Sequence, residues 1–129
     1  MTWPSAEIAL VAYLKAETGA QTATRVPQGI ESIQRFIRVA RGPGSDDLVT
    51  DSVLIDIESF TPEVAAADYA NGVNLAEEIR QAMHRLTGRK AGNVLIDKVR
   101  TSASPMWLDY QNPGTNRFVA SYGIEYRQQ

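Results

Sequence analysis

The pattern that most constrains this chain is strict alternation of apolar and polar residues. From Arg117 to Arg127, Phe118, Ala120, Tyr122, Ile124 and Tyr126 alternate with Val119, Ser121, Gly123, Glu125 and Arg127. A period of two places alternate residues on opposite faces of a strand. The segment SVLIDIESF, Ser52 to Phe60, repeats the pattern, with Val53, Ile55 and Ile57 against Leu54, Asp56 and Glu58. FIRVAR, Phe36 to Arg41, reads as its hairpin partner. Such a hairpin sets Ile37 and Val39 beside Val53, Ile55 and Ile57. Arg38 then shares the other face with Asp56 and Glu58, as opposite-charge cross-strand neighbours. One dry face and one wet face describe an antiparallel sheet covered on one side. NVLIDKVRT, Asn93 to Thr101, adds a further strand, and Thr22 to Pro27 is a short β-like stretch that Pro27 ends.

Two segments have helical spacing and can supply the cover. Ser5 to Glu17 has Ser5 as N-cap, Glu7 in the first turn and Gly19 as a stop, with Ile8, Val11, Ala12 and Leu14 near one stripe. In TPEVAAADYANGVNLAEEIRQAMHRLTG, Thr61 is the expected cap, Pro62 the first helical residue and Gly88 the stop. Val64, Tyr69, Val73, Ala76, Ile79, Met83 and Leu86 form its apolar stripe, and Asn71-Gly72 marks an expected bend. The expected fold class is α+β: a mostly antiparallel four- to five-stranded sheet with two helices packed on one face. All 129 residues belong to a single domain on this reading.

Composition narrows the function. With no cysteine, disulfides, thiolate nucleophiles and cysteine metal sites are excluded together. The net charge is −2 and no lysine or arginine block is present, which argues against sequence-specific DNA binding. No apolar run is long enough to span a bilayer. MTWPSAEIALVAYLKAE has no basic start, so it reads poorly as a signal peptide, and synthesis in the cytoplasm is expected.

Convergent catalytic groups are scarce. His84 is the single histidine and falls in the last turn of the long helix, where a cation suits the helix dipole. GPG at Gly42 to Gly44 lacks the phosphate-loop pattern. Asp46 and Asp47 lack the further ligands of a calcium loop. Arg85, Arg89 and Lys90 gather after a helix as C-terminal dressing or as a phosphate contact. No catalytic residue, cofactor site or metal site is therefore assigned. Two polar, turn-rich connections stand out instead: Gly42 to Thr50, and SASPMWLDYQNPGTN from Ser102 to Asn116. Long connections in compact domains tend to be functional or disordered. Met106, Trp107 and Leu108 must either fold onto the core or meet another subunit, and Trp and Met are enriched at interface cores.

Several stretches in order carry a resemblance to a known family: VAYLKAE, RVP, RFIRVARGPG, VTDSVLIDIESF, NLAEEIRQAM and NRFVASYGIEYR. From about Leu10 to Tyr126 the chain resembles the tail terminator proteins of long-tailed, siphovirus-type actinobacterial phages. Arg41, Gly42, Gly44, Asp51 and Glu58 occupy the places of that pattern. The resemblance implies a non-catalytic ring, typically a hexamer, seated on the end of the tail tube. Such a ring stops tube polymerisation and presents a docking surface to the head-tail connector. The implied partners are copies of the chain, the tail tube protein, the connector protein, and DNA as cargo passing through the lumen, with no membrane. The implied location is the virion tail-neck region. Arg41, Asp46, Asp47, Asp51, Met106, Trp107 and Tyr110 are the candidate subunit or tail contacts. Another phage neck component, a connector or head-closure protein, is the alternative. A small enzyme or ligand-binding module built on His84, Asp97 and Tyr110 is a second.

Overall fold

The computed structural model describes residues 5–46, 51–92, 94–110 and 114–128. Helix α1, Ala6–Thr18, is capped as its sequence predicts: Ser5 Oγ accepts the Ile8 N–H at 3.3 Å, and Gly19 closes the helix with φ 73°. The strands are β1 (Gln21–Ala23), β2 (Phe36–Asp46), β3 (Asp51–Pro62), β4 (Arg89–Ala91), β5 (Val94–Trp107) and β6 (Thr115–Gln128). Helix α2, Tyr69–Arg85, joins β3 to β4. One six-stranded sheet has the order β1-β2-β3-β6-β5-β4. All neighbours are antiparallel except β1 and β2. The sheet thus has more strands than the four or five expected. The extra ones, three residues each, are too short for periodicity to reveal.

Alternation sorts the strands as predicted. Ile37, Val39, Val53, Ile55, Ile57, Ala120, Tyr122, Ile124 and Tyr126 form one buried layer, joined by Val94, Ile96 and Val99. Leu10 and Leu14 of α1 and Leu75, Ile79, Ala82 and Met83 of α2 cover that layer. Ile8, placed on the α1 stripe by spacing, is 67% exposed.

The long helix begins later than its capping signals suggest. Thr61 and Pro62 remain in β3, paired with Asn116 and Thr115. A single 3-10 turn, Ala66–Asp68, then leads into α2. The Asp68 carboxylate accepts the Val64 and Ala65 N–H groups at 2.8 and 3.0 Å. These bonds hold its pKa below the ordinary aspartate value. Asn71-Gly72 therefore lies in the first turn of α2, which runs on without a break to Arg85. Gly72 is there for room: a Cβ would stand 2.7 Å from Phe118 Cε1 and closer still to the Asn116 amide. Val64 and Tyr69, assigned to the apolar stripe, are exposed.

Both long connections are largely strand. β2 runs on through Gly42, Pro43 and Gly44 to Asp46, and a bulge between Arg41 and Gly44 takes up the irregular residues. β5 runs on to Trp107, with register shifts between Thr101 and Ala103 and between Ala103 and Met106. Turn-forming residues here mark bulges in a strand, which single-strand periodicity cannot tell from a loop. The remaining tip of the first connection, including Asp47, lies outside the described residues.

The opposite face is not wholly wet. Phe36 and Phe60, paired across β2 and β3, form a second small core with Ile30, under Val26, Ile33 and Tyr110.

Candidate functional site

The candidate surface comprises the open sheet face and the rims of β2 and β5. On that face, cross-strand charges pair as the alternation predicts. Glu58 is the hub: Arg38 Nη1 donates to Oε1 at 2.5 Å and Arg117 Nε to Oε2 at 2.8 Å. Ser121 Oγ donates to Asp56 Oδ1 at 2.6 Å. Arg127 lies 3.3 Å from Asp97 Oδ1. Arg100 lies flat over Gly123, where a Cβ would meet its Cζ at 2.7 Å. This face is a spread of balanced charges rather than a pocket focused on one ligand.

The sequence-assigned contacts fall into three places. At the β2–β3 ribbon, Arg41 donates to the Tyr126 hydroxyl at 3.1 Å, and Asp46 pairs in register with Asp51 at the outer end. On β5, Met106 and Trp107 pair in register with Val119 and Phe118, and both side chains are exposed, 58% and 42%. Tyr110 sits at the second core, its ring 5.1 Å from Phe60 and beneath the Arg117 guanidinium at 5.7 Å. Tyr69, half exposed, stacks 5.4 Å from Phe118. Buried Phe118 thus has Tyr69 packed on it and Trp107 as its register partner on β5, a grouping that joins segments too far apart for a local pattern to show.

Next to this grouping, Ile57 and Ser59 of β3, Ala76 and Ile79 of α2, Pro105 of β5 and Phe118, Val119, Ala120 and Tyr122 of β6 line a small, mostly apolar cleft. The Tyr122 hydroxyl is buried with no hydrogen-bond partner among the described residues. Burial pushes its pKa up to about 12. Sequence reading missed Tyr122 as anything but core, because its apolar surroundings give no sign of an unmet hydroxyl.

His84, Asp97 and Tyr110 engage different partners. His84 Nε2 is 2.7 Å from Thr101 Oγ1, Asp97 pairs with Arg127, and Tyr110 packs on Phe60. Among the described residues no three His, Asp or Glu side chains cluster as metal ligands. Among the described residues no helix is long and apolar enough to cross a membrane.

No protein-family model matches the sequence, and no curated protein matches it either. A solved chain from the virion of a native gene transfer agent particle shares the fold, with a TM-score of 0.61 at 15% identity. The match covers 90% of this chain and 85% of that one.

Proposed function

We propose that this protein is a structural component of a phage-type virion and, within that class, a tail terminator. On this reading it forms a homo-oligomeric ring, of six copies by resemblance, on the last ring of the tail tube, stops polymerisation there and offers its other side to the head-tail connector. DNA passes through the lumen as cargo. The observation that carries the reading is fold likeness to a virion component over 90% of the chain. The terminator pattern at Arg41, Gly42, Gly44, Asp51 and Glu58 narrows it. The role is non-catalytic, and its contacts are Arg41, Asp46, Asp47, Asp51, Met106, Trp107 and Tyr110.

Mixing the purified protein with polymerising tube protein tests the role. Tubes are expected to shorten with increasing protein and to carry density at one end in micrographs. Unchanged tube lengths across the titration would remove the terminator reading. Virions lacking the protein separate the neck alternative: overlong tails fit a terminator, whereas normal tails beside unattached heads fit a connector.

A further inference from the structure

Both flanks of the sheet are only partly closed. β1 pairs with β2 through Phe36, Ile37 and Arg38, so residues 39–46 have no outer neighbour among the described strands. β4 pairs with β5 through Val94, Leu95 and Ile96, which leaves residues 97–107 open in the same way. The register places residues 40–45 of the first run level with 98–103 of the second, while Met106 and Trp107 lie level with Arg38 and Ile37, which β1 already covers. Ala40 pairs with Asp56, Asp56 with Ser121, and Ser121 with Ala103. Likewise Arg41, Ile55, Tyr122 and Thr101 form one row, and Gly44, Val53, Ile124 and Val99 another. Each step from β2 through β3 and β6 to β5 is antiparallel, so β2 and β5 run in opposite directions.

The flanks also differ in charge. β5 carries Lys98 and Arg100, and neither has a carboxylate ion-pair partner among the described residues. The outer end of β2 carries Asp46, paired in register with Asp51. Lys98 lies in the row of Ser45, adjacent to theirs: it pairs with Glu125, which pairs with Ser52, which pairs with Ser45. Two β5 flanks brought together would oppose Lys98 and Arg100 with like charges, whereas a β2 flank brings one charge of each sign, Arg41 and Asp46, and so adds no net repulsion.

We propose that the open run of β5 pairs antiparallel with the open run of β2 in a second copy of this chain, continuing the sheet head to tail. The inference rests on the assembly reading above and identifies its contact. Each open run is limited by a bulge and a proline, Pro43 on β2 and Pro105 on β5. Proline removes a ladder donor, so the contact is short and does not template open-ended pairing. The side of β5 that bears Trp107 and the Tyr122 cleft then lies along the same seam, where a neighbour excludes water from it.

The absence of cysteine makes crosslinking a clean test. Ala40→Cys protein is mixed with Ser102→Cys, Ala103→Cys or Ser104→Cys protein and oxidised, alone and with polymerising tube protein present. Thermal melts confirm that each variant folds. At least one mixture is expected to give tenfold more disulfide dimer than either variant by itself. A chain carrying both cysteines of that pair should give a ladder ending at the closed ring. Dimers formed equally well by one variant alone would overturn the head-to-tail pairing in favour of a two-fold one. Normal capping of tubes with no mixed dimer would overturn the edge contact and leave the terminator role standing. Mixed dimers without any effect on tube length would support the edge contact and remove the terminator role. Neither dimers nor capping would overturn both.

Discussion

At the scale of single residues, the helix–sheet seam has no slack at Gly72 and an unmet hydroxyl at Tyr122. A methyl group at position 72 drives into Phe118 and Asn116, both anchored in β6. Gly72→Ala is expected to destabilise the protein by about 1–3 kcal/mol in denaturant titrations, although alanine favours helix elsewhere. Tyr122→Phe removes a buried hydroxyl that has no partner among the described residues. It should be neutral or stabilising by roughly 1 kcal/mol at neutral pH. The pH dependence has a definite sign. The folded phenol titrates near 12 against an ordinary value of 10.0. Above pH 10 the unfolded chain therefore loses this proton first, and stability falls as pH rises from there towards 12. Tyr13, raised chiefly by burial while its hydroxyl donates to the Ala82 carbonyl at 2.6 Å, adds a fall of the same sign. Denaturation midpoints from pH 9 to 11.5, about the ordinary tyrosine range, should decline less steeply in Tyr122→Phe than in the parent.

At the scale of elements, alternation reported what it physically depends on. A strand with one covered face must alternate, so β3 and β6 and the inner part of β2 were legible residue by residue, together with the Arg38, Asp56 and Glu58 face. The ends of elements were less legible. Thr61-Pro62-Glu63 has the local chemistry of a helix start, yet β6 holds Thr61 and Pro62 in the sheet through register. The start of α2 instead depends on Asp68 and on Asn116, whose amide lies 3.5 Å from the Asp68 and Tyr69 carbonyls. That second partner is distant in sequence, so no local signal announces it. Glu58 ties three strands at once, and Glu58→Gln should lower stability by about 1–2 kcal/mol by weakening two charge-assisted bonds. A double-mutant cycle with Arg117→Met should return part of that energy as coupling between β3 and β6. Independent contributions, adding without remainder, would contradict the hub role.

At the scale of the whole molecule, sequence order does not reveal strand order. The chain leaves β3, passes through α2, β4 and β5, and returns as β6 beside β3. It thereby builds the centre of the sheet last. The open rims follow from that order and from the shortness of β1 and β4, so only the folded chain shows where Met106 and Trp107 stand. Their exposure predicts a separation of effects. Trp107→Ala should cost folding stability only about 1–2 kcal/mol, for the part of the ring that the chain itself covers, while weakening association in the tube-capping assay. Of the chain's two tryptophans only Trp107 lies in β5. Its fluorescence should shift to the blue on assembly, read in a Trp3→Phe background. An unshifted spectrum on capped tubes would place Trp107 away from any seam.

The two shortest strands have a mechanical consequence. β4 stands beside the upper end of one open rim and β1 beside the lower end of the other. When such rims meet, each short strand becomes an end stop for its neighbour, as in a carpenter's lap joint. Sliding in one direction drives the incoming rim against β4 and, at the same time, β1 of the incoming copy against the lower end of β5, whereas sliding in the other direction meets neither. The seam therefore has a one-way limit on its register that owes nothing to side-chain identity, and lengthening either short strand should jam the joint while leaving each half sound.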